Sequence, residues 1–220
     1  MPDTDIYLIL TRSARSDRDP LLIARQAIAG GTAAIQLREK QLPRAELPAY
    51  GAALRALCRA HGVRFIVNDD PELALDLDAD GVHLGQEDAA RLGLAAVRRR
   101  IGPRRIIGLS THTLPQLMAA QLLPVDYAAF GPLFPTTAKP YHIGTGDIPR
   151  VLAASRKPVV FIGGIDLANA PQLAVLGCRW LAVIRAIMQA DDVTDATRQL
   201  AALVCPAAAD GTTAEPADRR

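Results

Sequence analysis

Two carboxylates in this sequence each follow a short apolar run. Asp69 closes the run RFIVND at 64–69, and Asp88 follows the run GVHLG at 81–85. Carboxylates that meet at one edge of a fold repel each other unless a cation lies between them. Oxygen sites with few protein ligands, which leave room for water and substrate phosphates, are typical of Mg²⁺. The pair therefore predicts a Mg²⁺ site, with a helix cap as the alternative for Asp88 alone.

A second polar group, Gln36-Leu37-Arg38-Glu39-Lys40, ends another apolar run. Side chains alternate along a strand, so Gln36, Arg38 and Lys40 are expected on one face. Basic side chains at a strand end suit an anionic substrate, because a guanidinium matches phosphate oxygens in a bidentate manner. The stretch predicts an anion site, and an ion pair with a neighbouring helix is the structural alternative.

The residues after Asp69 favour the start of a helix. Asp70 can cap free N–H groups, Pro71 suits the first helical position, and Glu72 favours the positive end of the helix dipole. This interpretation accounts for Asp70. It leaves Asn68 and Asp69 available for chemistry at the strand end.

The serine and histidine residues do not predict a catalytic nucleophile. Ser110 and His112 lie in GLSTHT, and no GxSxG elbow surrounds the serine. His83 lies inside an apolar run and is interpreted as a hydrogen-bonded interior residue. Because no general base or nucleophile is evident, the pattern favours a reaction in which cations stabilise a departing anionic group.

The elements that must position these residues alternate along the chain. Apolar runs typical of strands are 6–11, 33–38, 64–69, 81–85, 105–110, 127–132, 158–164 and 180–185. Helical spacing of apolar residues occurs at 20–30, 43–61, 89–101, 113–123, 147–155, 167–176 and 191–204. The alternation predicts an α/β fold, a single-domain (β/α)8 TIM barrel with its site at the carboxyl ends of the strands. A doubly wound open sheet is the competitor, but its GxGxxG fingerprint is missing after the first strand.

The ends of the seventh and eighth predicted strands add a second anion site. Gly163-Gly164 and Ile184-Arg185 follow these two strands. Loops at these places in a barrel commonly bind phosphate through backbone N–H groups, and glycine lets the backbone approach the anion closely. Tight turns also use glycine pairs, but their position favours phosphate binding.

The bulk properties exclude several other classes of function. The chain has 220 residues, half of them hydrophobic, a formal net charge of +2 and only nine aromatic side chains (four Tyr, four Phe and one Trp), so no nucleic-acid surface is expected. Its three cysteines are far apart and are expected to be reduced. No apolar run approaches membrane-spanning length, and a cytoplasmic protein without membrane partners is expected. The barrel domain is predicted over 1–205, and the polar segment 206–220 is predicted to be a disordered tail.

Six segments together resemble thiamine phosphate synthase. They are QLREK (36–40), VNDD (67–70), DGVHLGQED (80–88), GLSTHT (108–113), GPLFPTTAK (131–139) and GGI (163–165). The match is collinear from about Tyr7 to Asp191. It implies a Mg²⁺-dependent transferase that joins 4-amino-2-methyl-5-(diphosphooxymethyl)pyrimidine to 4-methyl-5-(2-phosphoethyl)thiazole, or its carboxylated form. The products would be thiamine phosphate and diphosphate, and the mechanism would be dissociative.

The resemblance also implies roles for individual residues. Asp69 and Asp88 would bind Mg²⁺. The pyrimidine diphosphate would be held by Gln36, Arg38, Lys40, Asn68, Ser110 and Lys139, and of these Arg38, Lys40, Ser110 and Lys139 would take part in catalysis. The thiazole phosphate would be held by Thr136, Thr137, Ala138, Gly164, Ile184 and Arg185.

Two departures from the family pattern concern the thiazole side. The family usually has a second Thr where Ala138 stands, and often has Ser where Arg185 stands. One alternative function is a thiazole tautomerase, which shares the barrel and the thiazole site but needs no metal–diphosphate site. The other is a non-catalytic sensor of thiamine phosphate. The metal and diphosphate residues are all present, which favours the synthase, as a monomer or a homo-oligomer.

Overall fold

The computed structural model describes residues 5–14, 17–40, 42–43, 45–137 and 139–204. Eight parallel strands form one closed barrel in chain order. The strands are β1 (Asp5–Leu10), β2 (Thr32–Leu37), β3 (Arg64–Asn68), β4 (Gly81–Leu84), β5 (Ile106–Thr111), β6 (Tyr127–Phe130), β7 (Val159–Ile162) and β8 (Trp180–Val183). The predicted (β/α)8 barrel is confirmed, and the open sheet is excluded because β8 pairs with β1.

Helices surround the barrel. They are α1 (Pro20–Ala29), α2 (Leu47–Ala60), α3 (Pro71–Asp76), α4 (Gln86–Leu92), α5 (Leu94–Ile101), α6 (Leu114–Ala120), α7 (Ile148–Ala154), α8 (Ala170–Val175), α9 (Arg185–Met188) and α10 (Val193–Val204). The single helix predicted over 89–101 is wrong. Gly93 has a φ of 74°, which ends α4 and separates it from α5, because a glycine adopts this left-handed conformation readily.

Alternation along the strands divides the core into two layers. Ile6, Leu8 and Leu10 of β1 belong to the larger cluster that packs between the sheet and the helices. Tyr7 and Ile9 belong to a smaller cluster, with alternate buried residues of β2, β3, β6, β7 and β8. This smaller cluster fills the barrel interior, as in other barrels of this kind.

The helix start predicted after Asp69 is confirmed. The Asp70 carboxylate accepts a hydrogen bond of 3.0 Å from the Leu73 N–H, and Pro71 is the first residue of α3. Glu72, in the first turn, forms an exposed ion pair with Arg100. Asp70 therefore serves as a helix cap.

Within the described residues, no helix is both long and apolar enough to cross a membrane. Cys58 and Cys178 are buried free thiols, and burial raises the pKa of each to about 12. The predicted tail at 206–220 and the end of the predicted domain at Cys205 lie outside the described residues.

Candidate active site

The first carboxylate of the site lies immediately after β3. Asp69 has a φ of 62°, a left-handed conformation that is uncommon for residues other than glycine but tolerated by Asp and Asn. Its N–H donates to the His83 carbonyl, and its carboxylate accepts from the Gly85 N–H over 3.1 Å and from the Asn68 side-chain amide. Backbone strain of this kind persists where surrounding contacts hold it, as they do at this strand end.

The second carboxylate lies in the first turn of α4. Gly85 is the N-cap of this helix, so the cap predicted as the alternative for Asp88 is wrong. A Cβ built on Gly85 would lie 3.9 Å from Asp69 Oδ1 and 4.0 Å from Asp88 Oδ2. The two carboxylates therefore face the same small space beside Gly85. Arg91 forms an ion pair with Asp88 from the solvent side.

The electrostatics of this space favour a cation. Burial raises the pKa of Asp69, and the neighbouring Asp88 carboxylate raises it further, whereas hydrogen bonds from Gly85 and Asn68 and the charge of Lys40 lower it. Among the described residues no group of three or more His, Cys, Asp and Glu side chains could hold a metal. Two carboxylates suit Mg²⁺, which keeps several positions for water and substrate phosphates, so the donor set fits this ion.

The basic residues after β2 follow the strand that pairs with β3, which leads to Asp69. Lys40 is exposed and close enough for its charge to lower the pKa of Asp69. The Arg38 N–H donates to the Leu10 carbonyl, which continues the pairing of β1 and β2 by one step. Neither Arg38 nor Lys40 forms an ion pair with another described residue, so both cations are available for an anion.

Glu39 lies on the opposite face of the segment from Arg38 and Lys40, and its side chain connects this segment to the loop after β1. Its carboxylate accepts from the Arg12 N–H over 2.7 Å, and its other oxygen is buried with no hydrogen-bond partner among the described residues. Burial raises the pKa of Glu39, although the charges of Arg12 and Arg38 lower it. The alternation of Arg38 and Lys40 with Glu39 agrees with the faces predicted from the sequence.

A chain of hydrogen bonds crosses the barrel interior between Gln36 and Ser110. Gln36 Nε2 donates to the Tyr7 hydroxyl over 2.8 Å, and this hydroxyl lies 3.1 Å from that of Tyr127. His83 lies next, with Nδ1 2.8 Å from the Tyr127 hydroxyl and Nε2 2.9 Å from Ser110 Oγ. His83 is thus a hydrogen-bonded interior residue, as predicted, and burial lowers its pKa to about 4.

A glycine makes this chain possible. Gly108 of β5 pairs with His83 on one side and with Tyr127 on the other. A Cβ at this position would lie 2.1 Å from the Tyr127 ring and 2.5 Å from His83 Nδ1. Because Gly108 has no side chain, the two rings stack over it with centroids 5.5 Å apart.

The opposite part of the rim is built by the loops after β6 and β7. Gly163 and Gly164 have φ values of 102° and 65°, and a Cβ on Gly164 would lie 2.5 Å from the Pro135 carbonyl oxygen. The Phe134 N–H donates to the Gly163 carbonyl over 2.9 Å. The glycine pair is therefore required by a close approach of two loops and by its left-handed backbone.

Residues predicted for the thiazole phosphate lie on these loops and after β8. Thr136 and Lys139 form a short antiparallel bridge, and Arg185 Nη1 donates to the Thr137 hydroxyl over 3.3 Å. Ile184 is the N-cap residue of α9, and Arg185 is its first residue. Ala138 lies outside the described residues.

The geometry thus joins the predicted residues in three groups. Asp69 and Asp88 face one space, where Asn68 donates to Asp69 and the charge of Lys40 acts on it. Gln36 and Ser110 are linked through the barrel interior, and Thr137 contacts Arg185. Sequence reasoning missed Tyr7 and Tyr127, which have the pattern of ordinary strand residues. The glycine within the strand RIIGLS, which often marks a close approach, was the available signal.

Comparisons with known proteins identify the family of this chain. The model of a family described as thiamine monophosphate synthase matches residues 6–187. A thiamine-phosphate synthase of Moorella thermoacetica is 40% identical over 207 residues, which cover 93% of this chain and 97% of that protein.

Solved structures agree on the barrel, and one of them also agrees on the family. A structure of thiamine phosphate pyrophosphorylase from Pyrococcus furiosus has a TM-score of 0.81 and 36% identity, and the match covers 92% of this chain and 96% of that one. A 3-hexulose-6-phosphate synthase from Salmonella typhimurium has a TM-score of 0.62 at 17% identity, covering 91% and 98% of the two chains. That second likeness concerns the barrel fold alone.

Proposed function

This chain belongs to the thiamine monophosphate synthase family and is an enzyme of the thiamine pathway. We propose that it joins 4-amino-2-methyl-5-(diphosphooxymethyl)pyrimidine, the pyrimidine diphosphate, to 4-methyl-5-(2-phosphoethyl)thiazole, the thiazole phosphate. The observation that carries the proposal is the pair of carboxylates, Asp69 and Asp88, which face one space beside Gly85. Arg38 and Lys40, two cations that pair with no described acidic residue, follow the neighbouring strand β2. This combination suits a metal-bound diphosphate rather than a monophosphate alone.

Asp69 and Asp88 are proposed to hold Mg²⁺. Bound Mg²⁺ would supply a positive charge that stabilises the negative charge growing on the departing diphosphate. Asn68 donates to Asp69 and so keeps this carboxylate oriented toward Asp88. Lys40, which already lowers the pKa of Asp69, is proposed to contact the diphosphate directly.

The reaction that fits these residues is dissociative. The bond between the pyrimidine methylene carbon and the diphosphate oxygen breaks, and its electron pair leaves with the diphosphate. Arg38, Lys40 and Lys139 are proposed to stabilise that charge, while Gln36 and Ser110 hold the pyrimidine. The thiazole nitrogen then attacks the carbon with its lone pair. No proton has to be removed from this nitrogen, which agrees with the lack of an evident general base.

The thiazole phosphate is proposed to bind across the rim. The residues assigned to it are Thr136, Thr137, Ala138, Gly164, Ile184 and Arg185. The hydrogen bond from Arg185 to Thr137 supports this assignment, because it joins the loop after β6 to the start of α9. A guanidinium at this position can itself meet a phosphate, so Arg185 compensates for the serine common in the family.

Incubation of the protein with both substrates, with Mg²⁺ or with EDTA, tests the proposal. Thiamine phosphate and diphosphate are expected in equal amounts with Mg²⁺, and neither is expected with EDTA. Folded protein that forms no thiamine phosphate would contradict the synthase reaction. Isomerisation of a thiazole substrate without metal would then indicate the tautomerase, and binding of thiamine phosphate without turnover would indicate the sensor. A cytoplasmic location and the oligomeric state stay predictions.

A further inference from the structure

The hydrogen-bond chain through the barrel interior has a limited supply of protons. Each phenol carries one, serine carries one, and a neutral imidazole carries one on either ring nitrogen. Gln36, Tyr7, Tyr127 and His83 are all buried, with exposed fractions of 7% or less. His83 is buried and its two ring nitrogens contact hydroxyl groups rather than a carboxylate, an environment that favours the neutral ring. The protons of the two phenols and of the imidazole must therefore find their acceptors within the chain.

The orientation of Gln36 determines where these protons lie. Because its Nε2 group donates to the Tyr7 hydroxyl, the proton of Tyr7 must point to Tyr127. The proton of Tyr127 then points to His83 Nδ1, which leaves the imidazole proton on Nε2. That N–H donates to Ser110 Oγ, so the serine proton points away from the chain.

The opposite direction is less favourable. With Gln36 as it lies, reversal would leave the buried hydroxyl proton of Tyr7 without an acceptor, which is unfavourable because a buried donor has no water to bond instead. Only a reversed amide, with Oε1 toward Tyr7, would satisfy a reversed chain. Arg38 follows Gln36 on the same face of the segment. A nearby guanidinium attracts an amide oxygen and repels an N–H donor, which agrees with Nε2 on the side of Tyr7.

We propose that Gln36, because it offers Tyr7 a donor and no acceptor, holds this chain in one direction and thereby makes the Ser110 hydroxyl a donor to an acceptor atom of the pyrimidine diphosphate. Tyr7, Tyr127 and His83 are positioning residues, since they act on the substrate only through Ser110. The identity of the ligand rests on the proposed function. The direction of the chain does not, because it follows from contacts within the protein.

The position of the imidazole proton in substrate-free protein tests the proposal. The side chains of the four histidines can be observed by ¹⁵N NMR after histidine labelling, and His83 is assigned by the signal that is lost in His83→Asn. The expected result at pH 7.5 is a proton on Nε2 and a bare Nδ1. A proton on Nδ1 of His83 in the unaltered protein would overturn the proposal.

A matched pair of substitutions at Gln36 tests its control of the direction. In Gln36→Glu the carboxylate accepts from Tyr7, so the chain should reverse and the His83 proton should move to Nδ1. In Gln36→Met the side chain at position 36 likewise offers Tyr7 no acceptor, so Tyr7 should still donate to Tyr127 and the proton should stay on Nε2. An unchanged tautomer in Gln36→Glu, with the fold retained by circular dichroism, would contradict the role of Gln36.

A second pair of variants connects the direction to catalysis. Tyr127→Phe removes the donor to His83, so both tautomers should appear and kcat/KM should fall about tenfold, the value of one hydrogen bond. Tyr7→Phe should keep the proton on Nε2, because Tyr127 still has only His83 as its acceptor. A single unchanged tautomer in Tyr127→Phe would contradict the chain. The unaltered protein could form no thiamine phosphate while these spectra give the expected tautomers. That result would contradict the proposed function but not the direction of the hydrogen-bond chain.

Discussion

The Gly85 N–H donates a hydrogen bond of 3.1 Å to the Asp69 carboxylate, and this contact joins the end of β3 to the start of α4. Gly85 is the N-cap of α4, and Asp88 lies in the first turn of the same helix. The contact thus brings two carboxylates from separate elements to one space. Their mutual repulsion is the physical reason to expect a cation there.

Arg91 is expected to compete with this cation. It forms an exposed ion pair of 2.7 Å with Asp88 Oδ1. Exposed pairs contribute about 0.2–1 kcal/mol, so Arg91→Ala should lower the Mg²⁺ concentration for half-maximal activity by up to about fivefold. Arg198→Ala, which removes an exposed i,i+3 pair with Asp195 on α10, is the control. A higher Mg²⁺ requirement in Arg91→Ala would show that Arg91 supports the metal site.

The charge of Glu39 is expected to lower the free energy of unfolding. One of its oxygens is buried with no partner among the described residues, and burial raises its pKa. Glu39→Gln keeps an acceptor for the Arg12 N–H and removes the charge, so the variant should be at least as stable as the unaltered protein at pH 7. Because folding raises the pKa of Glu39, the loss of unfolding free energy caused by its charge is present above that pKa. It disappears as the pH falls through that pKa and the carboxylate is protonated.

Denaturant unfolding at pH 7 and near pH 4 measures this effect. The difference in unfolding free energy between Glu39→Gln and the unaltered protein should shrink toward pH 4. Glu39→Ala, which removes the acceptor as well, should be less stable than Glu39→Gln at both pH values. A Glu39→Gln variant that is clearly destabilised at pH 7 would contradict this account.

Gly108 is expected to be intolerant of substitution. A Cβ would overlap the Tyr127 ring and His83, and overpacking in a core costs about 1–3 kcal/mol or more. Gly108→Ala should therefore lower the thermal midpoint by several degrees. Gly146→Ala is the matched control, because a Cβ there would meet no described atom within 4 Å and the φ of Gly146 is not left-handed. Equal midpoints for the two variants would contradict the close packing at Gly108.

The two buried thiols should be unreactive in the folded protein. Burial raises the pKa of Cys58 and Cys178 to about 12, so the thiolate fraction at pH 8 is very small. A Cys205→Ser variant isolates these two from the third cysteine. With a disulfide reagent at pH 8 this variant should react only after unfolding. Rapid reaction of one or two thiols in native conditions would contradict their burial.

The barrel could be predicted from the sequence because strand and helix periods alternate clearly, and because the polar residues fall at the strand ends. The proximity of Asp69 and Asp88 could be predicted for the same reason, since they follow neighbouring strands. Their binding of Mg²⁺ stays a prediction. The break between α4 and α5 was missed, because apolar spacing continues through Gly93 and does not report its left-handed backbone.

The interior chain could not be predicted, because it depends on register across several strands. Tyr7 and Tyr127 are far apart in sequence and meet only when the barrel closes. Gly108 signals a close approach, but it does not say which rings approach. The contact of Arg185 with Thr137 could not be predicted from the sequence either, because the two residues are far apart in the chain.

Asp69 and Asp70 are neighbouring carboxylates with different predicted roles, so a comparison of their variants is the most direct test of the metal–diphosphate site. Asp69→Asn tolerates the left-handed backbone but removes a proposed metal ligand, whereas Asp70→Asn keeps an acceptor for the α3 cap. Thiamine phosphate formation would be measured against Mg²⁺ concentration for both variants and the unaltered protein. We predict a loss of about a hundredfold in Asp69→Asn and nearly unchanged Mg²⁺ dependence in Asp70→Asn. Equal activity and Mg²⁺ dependence in Asp69→Asn and the unaltered protein would contradict the metal–diphosphate site.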